Sequence, residues 1–447
     1  MNQMGMTLED VKQRIKQDEI QFLSWQFCTL HGEVKEVLTP ARDLESVVAN
    51  GCGIDGSCAG YVPTNESDIL LRPDLDSYLV QPWGEPEDKT ARMMCDLYQV
   101  DGQTPFPKDP RGALQNVLKQ MKNEFGAHWQ FMIAPEMEYY LVTKIESGVV
   151  EPIDTGYYCD AYPRDQGYDF RKKMSRTLDS LGFVCETNHH EGVQTKHEIN
   201  FKYGRALATA DATITFKQVI KHFAARQSLI ASFMPKPFYG HHGAGMHIHM
   251  SIFDETENRN IFFDPDAEHQ LSRAACQFMA GIMSHARGLA GVTNPSVNSY
   301  KRLVPGFEAP IYVCWGLYNR SVMLRVPVSS PQARRVEIRC PDATGNPYLT
   351  FAALLAAGLD GIRRGMQLPP PVSEIVYHVP PEERKARNIE NLPGNLKEAL
   401  HCLEENSYLQ ESLGRDLVSH FLELKWKEWD EYSQRVHPWE WKKYLDV

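Results

Sequence analysis

Several features that define well-known protein classes are missing from this chain of 447 residues. It has no apolar stretch long enough to span a bilayer, and its polar N-terminal residues lack the apolar core of a secretory signal. Lysine and arginine together number 47 against 58 aspartates and glutamates, so the formal net charge is -11. That charge argues against general binding to nucleic acid or to an anionic membrane surface. We therefore expect a cytoplasmic protein with neither nucleic acid nor membrane as a partner.

Cysteine pairs and two catalytic motifs are also missing. The ten cysteines are scattered and never form a CxxC pair, so we expect neither a structural zinc site nor a disulfide scaffold. The absence of GxxxxGK[ST] excludes a P-loop enzyme, and no GxSxG nucleophile elbow occurs. Because the net charge is negative, a protein of this kind that binds anions must concentrate its arginines in a local pocket.

One Pro/Gly-rich segment, residues 100–110 (VDGQTPFPKDP), divides the chain. Before it, a helix capped by Thr7 precedes short strands and loops; after it, strands and helices alternate to the last residue. This pattern predicts an α+β protein with a smaller domain over residues 1–105 and a larger one over residues 106–447.

Ionisable side chains recur at every second position in several predicted strands. They are Glu136 and Glu138; His247, His249 and Ser251; and Arg335, Glu337 and Arg339, while Glu191 and Glu198 lie in a further segment. Side chains at i and i+2 point to the same face of a strand. A single segment of this kind is usually an amphipathic edge strand with a solvated face, but such faces favour Lys, Thr and Ser.

Carboxylates gathered on such faces repel one another unless cations lie among them. The sequence therefore predicts ligands for two or more divalent ions: Glu136, Glu138, Glu191, Glu198, His247 and Glu337. Mostly carboxylate ligands with one imidazole suit Mg²⁺ or Mn²⁺ better than Zn²⁺.

Five arginines add the complementary charge: Arg302, Arg320, Arg325, Arg335 and Arg339. Taken singly, each has a simple alternative explanation as a surface residue. Their planar guanidinium groups suit carboxylates and phosphates. Carboxylates, a metal-type histidine and clustered arginines are together typical of phosphoryl transfer, where the protein mainly positions groups and neutralises charge.

Long motifs spread over almost the whole chain resemble those of type I glutamine synthetases, in the shorter form of many archaea and Gram-positive bacteria. The motifs are IDGSCAGY, NESD, APEMEYY, HHEGVQTKHEI, FMPKP, GAGMHIHMS, NSYKRLVPGFEAP, NRSVMLRVP, RRVEIRCPD and NPYLTFAALLAAGLDGI. The resemblance implies a small N-terminal β-grasp domain (1–105) and a catalytic domain with a curved antiparallel sheet and surrounding helices (106–447).

The resemblance also implies an activity and an assembly. ATP would phosphorylate the γ-carboxylate of glutamate, and ammonia would attack the γ-glutamyl phosphate to give glutamine, ADP and phosphate, with Mg²⁺ or Mn²⁺ as cofactor. The chain would form a dodecamer of two hexameric rings, with each active site between neighbouring subunits. Small regulatory proteins would be further partners.

Carried over by motif, the resemblance assigns roles to individual residues. One metal would bind Glu138, Glu191 and Glu198, and the second Glu136, His247 and Glu337. Glutamate and the ammonium pocket would involve Tyr158, Gly243, Arg302, Arg320 and Arg339. ATP would contact Glu186, Tyr203, His249, Ser251, Arg325 and Arg335. The catalytic groups would be Asp55 from the neighbouring subunit, the flap residue Glu308, and Arg320 and Arg325.

Four positions depart from the family's usual sequence. Lys196 brings a positive charge near the metal cluster, where the family usually has Gln. His242 replaces an Asn beside the substrate, and Cys58 replaces a Ser of the ammonium pocket. Pro63 lies where many shorter members carry an Arg that takes part in feedback control.

These departures leave two other functions open. One is a γ-glutamyl ligase that uses another amine, such as a short alkylamine or a polyamine. Retention of Asp55, Tyr158 and Glu308 argues against it, whereas His242 and Cys58 favour it. The other is a weakly active paralogue with a regulatory or assembly role, and the complete set of metal-ligand positions argues against that.

Overall fold

The computed structural model describes residues 5–144 and 150–447, and its strands form two sheets. The first 100 residues contain α1 (Leu8–Gln17), β1 (Phe22–Cys28), β2 (Val34–Pro40), α2 (Leu44–Asn50), β3 (Cys52–Asp55), β4 (Asp68–Pro73), β5 (Leu79–Val80) and β6 (Thr90–Tyr98). The small sheet has the order β2-β1-β6-β4-β3, and β5 also pairs with β6. The strand pair β1–β6 is parallel, and β3 lies at the edge.

The helix α1 begins as the sequence predicts. The Thr7 hydroxyl accepts a hydrogen bond from the Asp10 backbone N–H at 3.2 Å, and the Asp10 carboxylate accepts from the Thr7 N–H at 2.8 Å. This reciprocal capping box satisfies two backbone donors that the helix itself leaves without partners. The prediction of a Thr7 cap is confirmed.

The larger part of the chain follows residues 100–110. Its strands are β7 (Trp129–Lys144), β8 (Val150–Pro152), β9 (Cys185–His190), β10 (Lys196–Phe201), β11 (Gly204–Arg205), β12 (Ile230–Ser232), β13 (Met246–Asp254), β14 (Arg259–Asn260), β15 (Trp315–Leu317), β16 (Leu324–Val326) and β17 (Val336–Ile338). Its helices are α3 (Pro110–Glu124), α4 (Tyr168–Ser180), α5 (Ala206–Ala225), α6 (Arg273–Thr293), α7 (Ser299–Arg302), α8 (Pro347–Arg364), α9 (Pro381–Ala386), α10 (Leu396–Glu404), α11 (Ser407–Leu413), α12 (Arg415–Ser433) and α13 (Pro438–Tyr444).

The mixed α+β architecture agrees with the prediction, and the exact domain boundary at residue 105 stays a prediction. None of the helices in the described ranges is long and apolar enough to cross a membrane.

Strand register in the large sheet brings the predicted ligands together. The order is β15-β16-β17-β13-β7-β10-β9, and neighbours from β16 to β9 are antiparallel. His247 lies opposite Glu136, and Glu198 lies opposite Glu138. Glu337 lies opposite His249. Segments far apart in sequence therefore place their polar residues on adjacent strands.

Apolar residues at every second position of β13 are buried in the core that lies between the sheet and the helices. Met246, Ile248 and Met250 of β13 are buried, and α6 packs directly on the buried helix α8. The two helices touch at glycines, because a Cβ at Gly281 would lie 2.2 Å from the Ala357 carbonyl oxygen. Larger residues at this crossing would push apart the layer that supports the sheet.

A buried arginine links the small sheet to the larger part of the chain. Arg111, at the start of α3, pairs with Asp96 at 2.5 Å, with Asp74 at 2.6 Å and with Asp211 of α5 at 3.0 Å. Tyr348 donates a further hydrogen bond to Asp211 at 2.6 Å. One guanidinium therefore neutralises carboxylates from both parts of the molecule.

We expect Arg111→Ala to lower the free energy of unfolding by about 3–5 kcal/mol, because it leaves the buried carboxylate of Asp211 and the half-buried carboxylates of Asp74 and Asp96 without this counter-charge. Urea-induced change in tryptophan fluorescence measures the loss. The control is Arg164→Ala, whose side chain is 72% exposed and pairs with Asp160 at 3.7 Å; it should cost less than about 1 kcal/mol. Equal midpoints for the two variants would show that the Arg111 network adds no stability.

Candidate active site

Two cavities lie side by side on the large sheet and share Glu136 and Asn200. The acidic cavity has a volume of about 560 Å³. It is lined by these predicted residues: Glu136, Glu138, Tyr158, Glu191, Glu198, Gly243, His247, Arg302, Glu308, Arg320, Arg325 and Arg339. The side cavity has a volume of about 310 Å³ and is lined by Glu136, Glu186, Tyr203, His249, Ser251 and Arg335. Most of the predicted site residues therefore meet around one shared wall.

The wall between the cavities carries a compact group of carboxylates and imidazoles. Glu136 contacts His247 Nδ1 at 3.2 Å and His249 Nε2 at 2.7 Å. His247 Nδ1 also lies 3.9 Å from Glu337, whose carboxylate is fully buried. Burial alone would raise the pKa of Glu136, but the hydrogen bonds from His247 and His249 outweigh it and hold that pKa far below its ordinary value. Glu136 is therefore an anion ready to face a cation.

The two histidines differ in what they offer a metal. Arg335 Nε donates to His249 Nδ1 at 3.1 Å, so His249 Nδ1 is an acceptor and its Nε2 carries the proton that faces Glu136. His249 thus supports Glu136 as a hydrogen-bond donor. His247 Nδ1 lies beside both Glu136 and Glu337, and carboxylates with an imidazole suit a hard divalent ion such as Mg²⁺ or Mn²⁺. Ligand atoms of Glu136, His249 and Glu337 lie within 4.8 Å of one another in the described part of the chain, so this wall could hold a metal ion.

The second predicted ligand set is arranged differently. The Lys196 ammonium is buried and lies 3.1 Å from Glu138 Oε2 and 3.5 Å from Glu191 Oε2. Burial alone would raise the pKa of Glu138, but the positive charge of Lys196 outweighs burial and helps to lower that pKa to about 2. His189 lies between Glu191 and Glu198, at 3.5 and 3.4 Å. The three carboxylates therefore line one cavity, but each of them contacts Lys196 or His189 of the same chain.

Arginines surround the shared wall, but not all of their donors point into the acidic cavity. Arg325 and Arg339 both donate to the buried carboxylate of Glu337. Arg302 is buried and donates to the backbone carbonyls of Cys340 at 2.6 Å and of Arg339 at 2.9 Å. Arg302 therefore holds the segment after β17, while Arg320 lines the cavity from its exposed side.

Glu308 lines the acidic cavity from the loop that follows α7. Glu308 has φ +57°, a conformation that few residues other than glycine adopt, and its side chain is 79% exposed. His242 Nδ1 lies 3.9 Å from the Glu308 carboxylate. Tyr158 also lines the cavity, and its ring meets the His189 ring edge-on at 5.4 Å.

The side cavity combines an exposed aromatic face with polar groups. The Tyr203 ring is 54% exposed, and Met132, Phe253 and Ala134 supply apolar contacts. Glu186 and Arg335 supply charged groups of both signs. A flat heteroaromatic ring with polar edges fits this lining.

Asp55 lies apart from both cavities of its own chain. It ends β3, the edge strand of the small sheet. Its carboxylate accepts hydrogen bonds from the Ser57 hydroxyl at 2.6 Å and from the Cys58 thiol at 3.1 Å, which lower its pKa to about 2. A single chain does not bring this predicted catalytic residue to the site.

Comparison with known proteins places the chain in a family. The family model described as "Glutamine synthetase, catalytic domain" matches residues 107–444, and the model described as "Glutamine synthetase, beta-Grasp domain" matches residues 19–100. The chain belongs to the glutamine synthetase family. The predicted resemblance and the predicted fold, a small β-grasp domain followed by a larger catalytic domain, are both confirmed.

Curated relatives and solved structures agree with this family. A glutamine synthetase of Clostridium saccharobutylicum is 42% identical over 98% of this chain and 99% of its own length. One of Methanococcus maripaludis is 41% identical over the same shares. A structure of GmaS in complex with ADP has a TM-score of 0.88 at 34% identity, covering 98% of this chain and all of the other. Apo GmaS has a TM-score of 0.86 at 32% identity, over 99% of this chain and all of the other.

Two side-chain contacts in the acidic cavity of this glutamine synthetase family member were missed from the sequence. His189 was given no role, although it lies two positions before Glu191 and obeys the same period-two rule as the predicted ligands. Lys196 was expected near the metal cluster, but nothing in the sequence indicates that its ammonium lies between Glu138 and Glu191. That contact depends on the turn before β10, where Thr195 has φ +58°.

Proposed function

We propose that this enzyme joins ammonia to the γ-carboxylate of L-glutamate with ATP, through a γ-glutamyl phosphate, and gives L-glutamine, ADP and phosphate. The observation that carries the proposal is that Glu136 lines both the side cavity, which suits a nucleotide base, and the acidic cavity, which also contains four arginines. Relatives about 41% identical over nearly the whole chain are named glutamine synthetase, which supports the same reaction.

ATP would bind with its base in the side cavity. Tyr203 would stack on the adenine, and Arg335 and Ser251 would contact the rest of the nucleotide. Glu136 lines both cavities, so the phosphates would extend past it toward the acidic cavity. Glu136, His247 and Glu337 would hold Mg²⁺ or Mn²⁺, which when bound neutralises phosphate oxygens.

Glutamate would bind in the acidic cavity, where Arg320, Arg339 and the backbone of Gly243 line the wall. Placing two anions, glutamate and the terminal phosphate, in one cavity requires this positive charge. Arg325 would add charge stabilisation near the shared wall, since its guanidinium is fixed by Glu337. These residues position the reactants and spread the negative charge that develops in the transition state.

Ammonia would arrive on the Tyr158 side of the cavity. We propose that Asp55 of a neighbouring subunit completes this pocket in a ring-shaped dodecamer, because it lines neither cavity of its own chain and stands on a free sheet edge. Ammonium is not nucleophilic, so a carboxylate must take its proton. Closure of Glu308 over the mouth would exclude the water that hydrolyses an acyl phosphate.

A second candidate is a γ-glutamyl ligase that uses another amine. The observation that favours it is His242, which lines the acidic cavity and lies 3.9 Å from Glu308. Its ring also meets Phe307 edge-on at 6.0 Å, so the entrance contains more aromatic surface than the family's usual Asn would give. Such a lining would accept a small alkyl group.

ATP turnover by the purified protein with Mg²⁺ and glutamate, in parallel with ammonium, with methylamine and with no amine, separates the candidates. We expect turnover that depends on ammonium, with glutamine as the product found by mass spectrometry. Turnover with methylamine alone would move the function to the second candidate. No turnover with any amine would refute both.

A further inference from the structure

We infer that the Lys196 ammonium is a built-in cation at the Glu138–Glu191 position and that each chain holds a single divalent ion, at Glu136, His247 and Glu337. The inference deepens the proposed function, since it concerns the cofactor of that same site. It differs from the two-metal arrangement that the resemblance implies.

The first argument is the geometry around Lys196. Its Nζ lies 3.1 Å from Glu138 Oε2, 3.1 Å from the Gly243 carbonyl oxygen and 3.5 Å from Glu191 Oε2. An ammonium group has three N–H donors and no acceptor, so three surrounding oxygens match its capacity. The side chain is only 4% exposed, which fixes the charge in place. Lys196 thus occupies the space between two of the predicted metal ligands.

The second argument is that the three predicted carboxylates do not converge. Within residues 5–144 and 150–447, the oxygen atoms of Glu191 and Glu198 form a close group with His189 and not with Glu138. Glu138 Oε2 instead accepts from the Gly245 N–H at 2.6 Å, and the Asn200 side chain donates to Glu198 at 2.7 Å. One oxygen of Glu138 and one oxygen of Glu198 therefore already accept hydrogen bonds from donors of the same chain, and Glu138 stands outside the close group.

Charge also opposes a second divalent ion. An ion ligated by Glu138 and Glu191 would lie about 2.1 Å from their oxygens, well inside the shell that the ammonium already occupies. Two like-charged cations at such a separation in a buried site repel strongly.

The position of Lys196 also suggests a role for its charge in the reaction. It holds the carbonyl of Gly243, a residue of the loop that lines the acidic cavity, and it lines that cavity itself. A fixed ammonium there would neutralise anionic substrate oxygens without any metal. Lys196 would therefore act as a substrate-binding residue that supplies the positive charge of a metal ion at this position.

Counting bound Mn²⁺ tests the inference without any substrate. The chelator-treated full-length protein is titrated with MnCl₂, and the free ion is measured by electron paramagnetic resonance. We expect one tightly bound ion per wild-type chain, two in Lys196→Gln, and spectral broadening from a neighbouring ion only in that variant. Lys425→Gln is the matched control, because Lys425 is also buried and carboxylate-paired, to Glu428 at 2.9 Å, and lies outside both cavities. Its count should stay at one.

Two tightly bound ions per wild-type chain would overturn the inference, and so would a Lys196→Gln protein that still binds one. If Lys196→Gln does not fold, Glu138→Gln decides instead: it should leave the wild-type count at one, whereas a lower count would make Glu138 a ligand. The count requires no turnover. It therefore tests the inference even if the proposed reaction is wrong, and the activity assay tests the reaction even if the inference is wrong.

Discussion

Asp55→Asn should lower ammonia-dependent glutamine formation by about 10²–10³-fold, because it removes a carboxylate that binds ammonium and accepts its proton. The fold should not change, since Asp55 is exposed at the end of an edge strand and its partners Ser57 and Cys58 lie in the adjacent turn. Steady-state assays at saturating ATP and glutamate measure the loss. Asp88→Asn is the control, because Asp88 is also exposed in the first 100 residues but lies in the turn before β6 and not beside Asp55.

Mixed oligomers tell whether Asp55 acts on its own chain or on a neighbour. Asp55→Asn and Glu337→Gln chains, co-expressed with different tags and purified through both, each lack one half of the proposed site. If sites form between subunits, about a quarter of them combine an intact catalytic domain with an intact Asp55 in a random mixture. Activity should then return to about that fraction of wild type. Hybrids as inactive as either parent would show that Asp55 does not act across the interface.

The period-two rule explains why much of the site was predictable. Glu136 and His247 lie on strands whose alternation of polar and apolar residues is clear in sequence, and a strand fixes side-chain direction from the backbone alone. The sequence therefore indicated which residues share a face. It did not fix which strands are neighbours, and the pairing of Glu198 with Glu138 follows only from the register of β10 on β7.

Contacts made through loops were not predictable in the same way. Arg302 was assigned to substrate, yet two of its nitrogens donate to backbone carbonyls after β17, which lie 37 and 38 residues away in sequence. Lys196 follows a residue with positive φ, so strand periodicity does not give the direction of its side chain. The glycine contact between α6 and α8 likewise depends on two helices meeting at one point, which a single sequence does not specify.

Glu337→Gln should lower kcat/KM by about 10³-fold, because it removes an anionic metal ligand and charge stabilisation from the centre of the site. Glu337 is completely buried and receives hydrogen bonds from Arg325 and Arg339, with His247 3.9 Å away. Glutamine keeps the shape of the side chain but leaves two guanidinium groups without their shared counter-charge. Those groups would then be less well fixed beneath the phosphates and the metal position.

The Glu337→Gln measurement pairs kcat/KM with the Mn²⁺ count, so that a loss of metal is distinguished from a loss of positioning. We expect the tightly bound ion to disappear together with the activity, while circular dichroism and oligomer size stay as in wild type. Glu398→Gln is the control, since Glu398 pairs with Arg287 at 2.6 Å and lines neither cavity; its kcat/KM should be unchanged. Activity of Glu337→Gln within about tenfold of wild type would mean that this carboxylate neither holds the metal nor orders the arginines, because removing either function costs more than that.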